Sequence, residues 1–381
     1  MFKGSLTIVT ISGVPVRVHW TFLILLAWVF GTGFVQGGTV ADGLRMVGLI
    51  GAVFACVVAH EFGHILAARS FGIRTRDVTL LPIGGVASLE KLPERPWQEL
   101  VVALAGPLVN VVIVLALLPG MLWPGGLDSL MNVGREWRGL GRDFVTSLAV
   151  INVWLVVFNM IPAFPMDGGR VLRAVLAMFM GRVEATRAAA TIGQALAVGF
   201  ALFGIFAGLP MLLVLALFVF LGAGAEAAGT EAQEMLRGVP VSAVMLREFR
   251  VLGETDTLRT AVDELLANSQ ADFPVTRDGT PETEVVGLLT RADLVRVLAE
   301  RGPSAPVSVA MRASCAAVGP DLPAQRALEA LRGGECPMIP VVLGGRLVGL
   351  VNAENISEAI MVRSALGRRG VVGARAAGVR A

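Results

Sequence analysis

The sequence predicts a polytopic α-helical membrane domain followed by a soluble α/β region. Of the 381 residues, 55% are hydrophobic and only 16% are charged, a composition typical of membrane proteins. The apolar residues form six stretches of about 20 residues, the length of a membrane-spanning helix. Near residue 230 the apolar runs shorten and charged residues interleave, so the membrane domain is expected to end there.

The N-terminus is expected to form a strand rather than a cleavable signal peptide, because residues 5–11 alternate in polarity and meet Gly13 and Pro15. The predicted spans follow at about 20–36, 45–69, 98–118, 143–162, 189–207 and 209–227. Arginines such as Arg74 and Arg173 favour a cytoplasmic position for the loops after spans two and four. An even number of spans then places the N-terminus and the C-terminal region in the cytoplasm, with the chain in the plasma membrane.

The second span contains His60, Glu61 and His64 in the pattern H-E-x-x-H. Residues four apart lie on one face of a helix, so the two imidazoles can share a zinc ion, with the glutamate as general acid and base. A charge near the centre of a spanning helix costs about 2.5–3.5 kcal/mol, so these side chains indicate a functional site.

A catalytic zinc ion usually has a third protein ligand. The remaining histidine, His19, precedes the first span, where a structural or surface role is the common one. Asp167 follows span four at a depth similar to that of the two histidines, after helix-breaking Pro162 and Pro165. Asp167 is therefore the expected third ligand; alternatively, it caps a helix that begins at Gly168.

Polar residues in two other spans suggest further site positions. Asn110 in span three and Asn159 in span four can orient a substrate or stabilise an oxyanion, or they can form hydrogen bonds between helices. Two β-prone runs around Gly84 and Gly85 predict a hairpin at the cytoplasmic mouth. The hairpin is either a plain connection or an edge strand that holds an extended substrate by strand addition.

The soluble region contains a degenerate repeat, in which residues 285–294 resemble residues 346–356. Each half is predicted to contain helix, strand, hairpin, strand and helix, and the halves should pack as a pair because neither buries enough apolar surface alone. Cys56, Cys315 and Cys336 show no disulfide framework, which fits a reducing compartment. The Arg-, Gly- and Ala-rich tail from residue 364 is expected to be disordered.

Three membrane motifs carry a family resemblance: HEFGH at 60–64, GPLVN at 106–110 and NMIPAFPMDGGR at 159–170. Together they resemble the site-2 protease family of intramembrane zinc metalloproteases, of the peptidase M50 type. The soluble repeat resembles a pair of CBS domains, and the combination resembles the CBS-bearing bacterial and archaeal branch. The resemblance implies a metalloprotease domain at 1–230, CBS domains at 238–301 and 306–363, and a basic tail at 364–381.

The resemblance also implies the roles of the site residues. His60, His64 and Asp167 would bind one Zn²⁺, and Glu61 would be the catalytic acid and base. The positions expected near the substrate are Asn110, Asn159, Gly84 and Gly85. The implied substrates are single-span membrane proteins, such as anti-sigma factors, that are cut within the membrane during regulated intramembrane proteolysis.

The soluble repeat resembles CBS modules that bind ATP, ADP or AMP between their halves. In those modules the binding residues follow the pattern G-h-x-T-x-x-D. The first repeat keeps this pattern in Gly287, Thr290 and Asp293, whereas the second has Asn352 and Asn355 at the matching positions. The resemblance thus implies an adenine nucleotide site at Thr290 and Asp293. Alternatively, the pair only packs the chain or forms a homodimer. No nucleic-acid partner is expected.

Two other functions fit part of the sequence. CBS pairs also accompany transporters and channels, but the polar residues within the spans are concentrated in the protease-like motifs rather than spread along the helices. A catalytically inactive relative that binds membrane clients is the other alternative, and the intact Glu61 with the full ligand set argues against it.

Overall fold

The computed structural model describes residues 4–35, 38–82, 84–89, 93, 95–121, 144–313, 315–333 and 336–377. The chain divides into two compact units, one covering Phe2–Thr230 and the other Glu231–Ala381. We call these the N-terminal unit and the C-terminal unit.

Helices dominate the N-terminal unit. They are α1 (Trp20–Val35), α2 (Val40–Ser70), α3 (Pro96–Met121), α4 (Phe144–Asn159), α5 (Asp167–Leu176), α6 (Arg182–Phe206) and α7 (Pro210–Met235). Four of them, α2, α3, α6 and α7, are long and apolar enough to cross a membrane, while α1 and α4 contain shorter apolar segments. Among the described helices, α1 to α4, α6 and α7 overlap the predicted spans in sequence, and the number of six spans stays a prediction. The short helix α5 was expected only as the alternative in which Asp167 caps a helix.

Helix α2, which carries the H-E-x-x-H motif, is 31 residues long. Its start is fixed by a capping box: the Thr39 hydroxyl accepts from the Asp42 amide, and the Asp42 carboxylate accepts from the Thr39 amide at 2.9 Å. Its end is followed by Gly72, whose φ of 76° suits the reversal into a strand. The motif therefore lies near the C-terminal end of a long, well-capped helix.

A four-stranded sheet accompanies the helices, with the order β1 (Ser5–Ile11), β2 (Val14–His19), β3 (Thr75–Leu81) and β4 (Gly84–Leu89). Strands β1 and β2 form one antiparallel hairpin and β3 and β4 another, while β2 pairs with β3 in parallel. Among the described strands, β4 is at one edge of this sheet.

The hairpin predicted around the two glycines is present, but its register differs from the expectation. Gly84 and Gly85 belong to β4, opposite Leu81 and Leu80, instead of forming the turn between the strands. The contact of Gly85 with α2, described below, accounts for a glycine at this position.

The C-terminal unit contains two similar halves. The first comprises β5 (Leu252–Gly253), α8 (Leu258–Ala267), β6 (Phe273–Thr276), β7 (Val285–Leu289) and α9 (Arg291–Arg301). The second comprises α10 (Ala324–Arg332), β8 (Met338–Leu343), β9 (Arg346–Asn352) and α11 (Ala353–Ala377). An apolar cluster joins them, because Leu288 of the first half packs with Met338, Leu347 and Leu350 of the second. The expected order of helix, strand, strand and helix is confirmed in both halves.

Two expectations for this unit differ from the structure. Cys315 and Cys336 form a disulfide bond with a Cα–Cα distance of 5.8 Å, although their spacing shows no recognisable framework. The bond depends on the fold, because it joins the segment after the first half to Cys336, two residues before β8 begins. The tail expected to be disordered from residue 364 instead continues α11 to Ala377.

Candidate metal centre

Two histidines of α2 point into the helix bundle one turn apart. His60 and His64 are 7% and 6% exposed, and their Nε2 atoms lie 3.1 Å from each other. The side chains meet because residues four apart share one face of a helix. The predicted pairing of the two imidazoles is therefore present.

Asp167 reaches these histidines from α5. Its Oδ2 atom lies 3.1 Å from Nε2 of His60 and 3.2 Å from Nε2 of His64. Asp167 is the first residue of α5, and Met166, which precedes it, makes no side-chain capping bond. The carboxylate thus faces the histidines instead of acting as the cap considered above.

The segment before α5 folds tightly against this helix. A Cβ atom on Gly168 would lie 2.3 Å from the carbonyl oxygen of Ile161, and one on Gly169 would lie 2.6 Å from the backbone of Ala163. No other residue type fits these contacts without moving the backbone. The glycine pair therefore allows the chain to fold back so that Asp167 faces α2.

The other nitrogen of each imidazole is held by a neighbouring helix. Nδ1 of His64 lies 2.7 Å from the backbone carbonyl oxygen of Val102, and Nδ1 of His60 lies 2.5 Å from Oδ1 of Asn110. A carbonyl oxygen only accepts hydrogen bonds, so these contacts place the imidazole protons on Nδ1. Both Nε2 lone pairs then face the Asp167 carboxylate.

Three acceptor atoms therefore converge in a buried site: two imidazole nitrogens and one carboxylate oxygen. Such a set is repulsive by itself and favourable around a cation. Ligand atoms 2.0–2.1 Å from a tetrahedral zinc ion lie about 3.3 Å apart, close to the 3.1–3.2 Å separations here. In chemistry and geometry, His60, His64 and Asp167 can hold zinc.

A glycine of α3 leaves space beside these atoms. A Cβ atom on Gly106 would lie 2.2 Å from Nε2 of His64 and 2.7 Å from Nε2 of His60. A Cβ on Gly63 of α2 would lie 2.6 Å from the carbonyl oxygen of Ala105, so α2 and α3 also approach closely here. The space next to the three ligands thus depends on the absence of a side chain at Gly106.

Glu61 lies beside the edge strand β4. A Cβ atom on Gly85 would be 2.8 Å from Cγ of Glu61 and 3.2 Å from the side chain of Val57. Glu61 is half-buried, unlike the fully buried histidines on either side. The backbone of β4 therefore contacts the Glu61 side chain directly.

The asparagines occupy different environments. Asn110 is fully buried, and its amide donates to Oδ1 of Asn152 at 2.7 Å, while the Asn152 amide donates to the carbonyl of Leu148 at 2.8 Å. Asn110 is thus an interhelical hydrogen-bond partner that orients His60. Asn159 lies at the end of α4 and forms no side-chain hydrogen bond with the parts of the chain that are described. Asn152 was missed in the sequence, although an amide in an apolar span is itself a signal.

Thr290 and Asp293 come together in the first half of the C-terminal unit. The Thr290 hydroxyl donates to Asp293 at 2.8 Å and caps α9. Arg312 donates to the same carboxylate at 2.5 Å and holds the pKa of Asp293 at about 2. In the second half, Asn352 replaces the threonine and accepts from the amide of Asn355 at 2.8 Å.

A cavity of about 490 Å³ adjoins this cluster. Residues from both halves line it, including Asp272, Thr290, Arg291, Arg312 and Cys336. Asp293 is not among the lining residues, and its carboxylate accepts hydrogen bonds from Thr290 and Arg312. Two arginines and one aspartate line the cavity, so its lining carries a net positive charge.

Comparison with protein families matches residues 48–127 and 129–203 to peptidase family M50, and residues 241–300 and 307–362 to the CBS domain. Zinc metalloprotease MJ0392 of Methanocaldococcus jannaschii is 31% identical over 275 residues, which cover 72% of this chain and 76% of that protein. The Rip3 protein of Mycobacterium tuberculosis is 27% identical over 392 aligned positions, covering 94% of each chain.

Among solved structures, the site-2 protease from Methanocaldococcus jannaschii is 34% identical to this chain. The match covers 58% of this chain and 95% of that one, with a TM-score of 0.42.

Proposed function

Because the chain belongs to peptidase family M50, the site-2 protease family, and carries a pair of CBS domains, we propose that it is a zinc-dependent endopeptidase. Its substrates are transmembrane segments of single-span proteins, with anti-sigma factors as one class. The observation that carries the proposal is the convergence of His60, His64 and Asp167, whose ligand atoms lie 3.1–3.2 Å apart in a buried site.

In this proposal, His60, His64 and Asp167 would hold one zinc ion, which would supply Lewis-acid chemistry for the scissile carbonyl and the attacking water. Glu61 accepts a proton from the attacking water and returns it to the leaving amine. Val102 and Asn110 keep the imidazole protons on Nδ1, so that both Nε2 atoms remain ligands.

Strand β4 is the proposed docking edge for the substrate. Its contact with Glu61 through Gly85 would place an added strand next to the catalytic carboxylate. A transmembrane helix hides its carbonyl groups in hydrogen bonds, so the bound segment must unwind to pair with β4. Gly84 starts this strand, and Asn159 is predicted to contact the substrate at the end of α4.

The proposed topology has six spans, formed by α1 to α4, α6 and α7. The N-terminus and the CBS pair lie in the cytoplasm in this arrangement, and the metal centre lies in the cytoplasmic half of the plasma membrane. The metalloprotease domain would cover 1–230, and the CBS domains 238–301 and 306–363. The basic loops support this orientation.

The CBS pair is proposed to bind an adenine nucleotide and to modulate cleavage, with homodimerisation as a further role. The cavity with Thr290, Arg291 and Arg312 supports an anionic ligand. Thr290 and Arg312 both bond Oδ2 of Asp293, so a ribose would contact Oδ1, which Arg296 holds in this structure. Cleavage rates unaffected by ATP, ADP and AMP, together with no binding of these nucleotides in calorimetry, would refute this role.

The function is tested with full-length protein purified in detergent and a panel of single-span peptides. Peptides with helix-weakening residues should be cut within the membrane segment, and a zinc chelator should stop cleavage until zinc is restored. Zinc retention without cleavage of any peptide would instead favour an inactive client-binding protein. Ion flux in liposomes would favour a transporter.

A further inference from the structure

A buried ion cluster joins three helices of the N-terminal unit. Arg173 of α5 has a side chain only 1% exposed, and its Nε and Nη2 atoms lie 2.7 and 2.5 Å from one carboxylate oxygen of Glu99 on α3. Its Nη1 atom bonds Glu226 on α7. The guanidinium carbon also lies 5.0 Å from the ring centre of Phe164. Arg173 thus contacts α3, α7 and the segment that leads into α5.

The stability of the fold does not by itself require an arginine at this position. Burying two charges costs about as much as their attraction returns, so apolar residues of similar volume often stabilise a protein equally well. The best-attested benefit of a buried ion pair is that it fixes one arrangement of the elements it joins. Arg173 is therefore expected to fix one arrangement of α3, α5 and α7.

Arg173 joins the helix that carries Asp167 to α3, the helix that holds the two imidazoles in place. Asp167 is the first residue of α5, fewer than two turns before Arg173. Glu99 on α3 lies one turn before Val102, whose carbonyl oxygen holds His64. The same helix α3 also carries Asn110, which holds His60. The position of α5 along α3 therefore sets how the carboxylate meets the two imidazoles.

Helix α5 has little intrinsic ability to hold this position. It has ten residues and follows an irregular segment, and isolated helices shorter than about 12 residues are marginal. Apolar contacts also hold this helix, since Leu172 packs against a cluster formed by Phe164, Ala189 and Ala190. Apolar contacts tolerate small shifts along a helix, whereas a short charged hydrogen bond does not.

We propose that Arg173 is a positioning residue for the metal centre: it locks α5 against α3, so that Asp167 meets the Nε2 atoms of His60 and His64. The inference rests on the metal centre of the proposed function and is independent of the substrate. Arg173 touches neither the metal ligands nor Glu61 and acts through the helix that carries Asp167.

The structure suggests variants that can fold. Arg182 lies 3.4 Å from the other oxygen of Glu99, so Glu99 keeps a cationic partner in Arg173→Met. Glu99→Gln tests the same contact from α3 with an isosteric side chain. Leu49→Ala is the matched control, because Leu49 is buried in α2 with 2% exposure, in an apolar cluster that contains none of the ion-cluster residues.

The experiment compares full-length variants in detergent by three measurements: thermal stability, affinity for zinc in competition with a chelator, and the visible spectrum of the cobalt-loaded protein. Arg173→Met and Glu99→Gln should each weaken zinc binding about 10–100-fold, the usual effect of losing a residue that orients metal ligands. The cobalt spectrum should change in both. The double variant should be no weaker than Arg173→Met alone, because both changes remove one interaction.

Leu49→Ala should lower stability while leaving the zinc affinity and the cobalt spectrum unchanged. Unaltered zinc affinity and spectrum in both Arg173→Met and Glu99→Gln would overturn the proposal, as would a loss of affinity in Leu49→Ala equal to theirs. If Arg173→Met does not fold, Glu99→Gln decides by the same criteria. Cleavage by the wild-type protein is measured separately, so failure of the proposed protease function would be seen independently of the affinity ratios.

Discussion

At the residue scale, the proposed metal centre depends on the hydrogen-bond partners of its two histidines as well as on the three proposed ligands. The Nδ1 atoms of His60 and His64 donate to oxygen atoms of α3, so both Nε2 atoms are left as acceptors beside Asp167. A proton could in principle occupy this space, but three converging acceptors with tetrahedral spacing match a divalent metal better.

Gly106 gives the sharpest test at this scale. Gly106→Ala would place a Cβ atom 2.2 Å from Nε2 of His64, so we expect bound zinc to fall from ~1 per chain to nearly none, as measured by elemental analysis. Gly51→Ala in α2 is the matched control, because its Cβ would meet nothing within 4 Å. Normal zinc content in Gly106→Ala would show that the metal does not lie between α2 and α3.

The residues that could be predicted from the sequence are those whose placement follows from helical spacing or from the order of the spans. His60, Glu61 and His64 follow from helical spacing, and Asp167 follows from the matching depth of two parallel spans. Asn152 and the Val102 carbonyl could not be derived in this way, because their roles depend on which faces of α3 and α4 meet α2. A polar side chain in an apolar span marks a contact without identifying its partner.

At the scale of elements, β4 brings its backbone to the side chain of Glu61, the proposed general acid and base. Gly85→Ala would put a Cβ atom 2.8 Å from Cγ of Glu61 and push β4 away from α2. Because a misplacement of about 1 Å can cost 100-fold in rate, we expect peptide cleavage to fall by roughly that factor. Zinc content should stay normal, in contrast to Gly106→Ala. Cleavage at the wild-type rate would remove β4 from the proposed substrate site.

The ends of the long helices were predicted within a few residues, except that α2, α6 and α7 extend farther into polar sequence than their apolar runs. The length of an apolar run shows how much of a helix the membrane can cover, whereas capping residues mark where the helix begins or stops. Thr39 and Asp42 mark the start of α2 in this way. The parallel pairing of β2 with β3 was not predictable, because it joins strands separated by two helices. The expectation of a turn at Gly84 and Gly85 was wrong, because both residues lie in β4, where Gly85 packs against Glu61.

At the scale of the whole molecule, the disulfide bears on the topology. The bond between Cys315 and Cys336 spans 21 residues, and closing a loop of this length stabilises a fold by about 3 kcal/mol. Disulfides persist in oxidising compartments, whereas cytoplasmic cysteine pairs are usually kept reduced. The proposed cytoplasmic position of the CBS pair thus predicts that these two residues are thiols in the cell and pair on oxidation.

This prediction is tested by trapping thiols in intact cells that express the Cys56→Ala protein. Both Cys315 and Cys336 should react with a membrane-permeant alkylating reagent after rapid denaturation, without added reductant. Variants with either cysteine replaced by serine identify the labelled site. Labelling only after reduction would place the C-terminal unit in an oxidising compartment and reverse the proposed orientation.

Our central proposal is that Glu61 acts as the general acid and base in a zinc-dependent hydrolysis of peptide bonds within the membrane. The most direct measurement compares the wild-type protein with Glu61→Gln in cleavage of a single-span peptide in detergent, with zinc content determined on the same samples. Loss of a general acid and base costs about 10²–10⁴-fold in rate, so cleavage should fall by at least ~100-fold while zinc remains bound. Cleavage by Glu61→Gln at the wild-type rate would contradict the account.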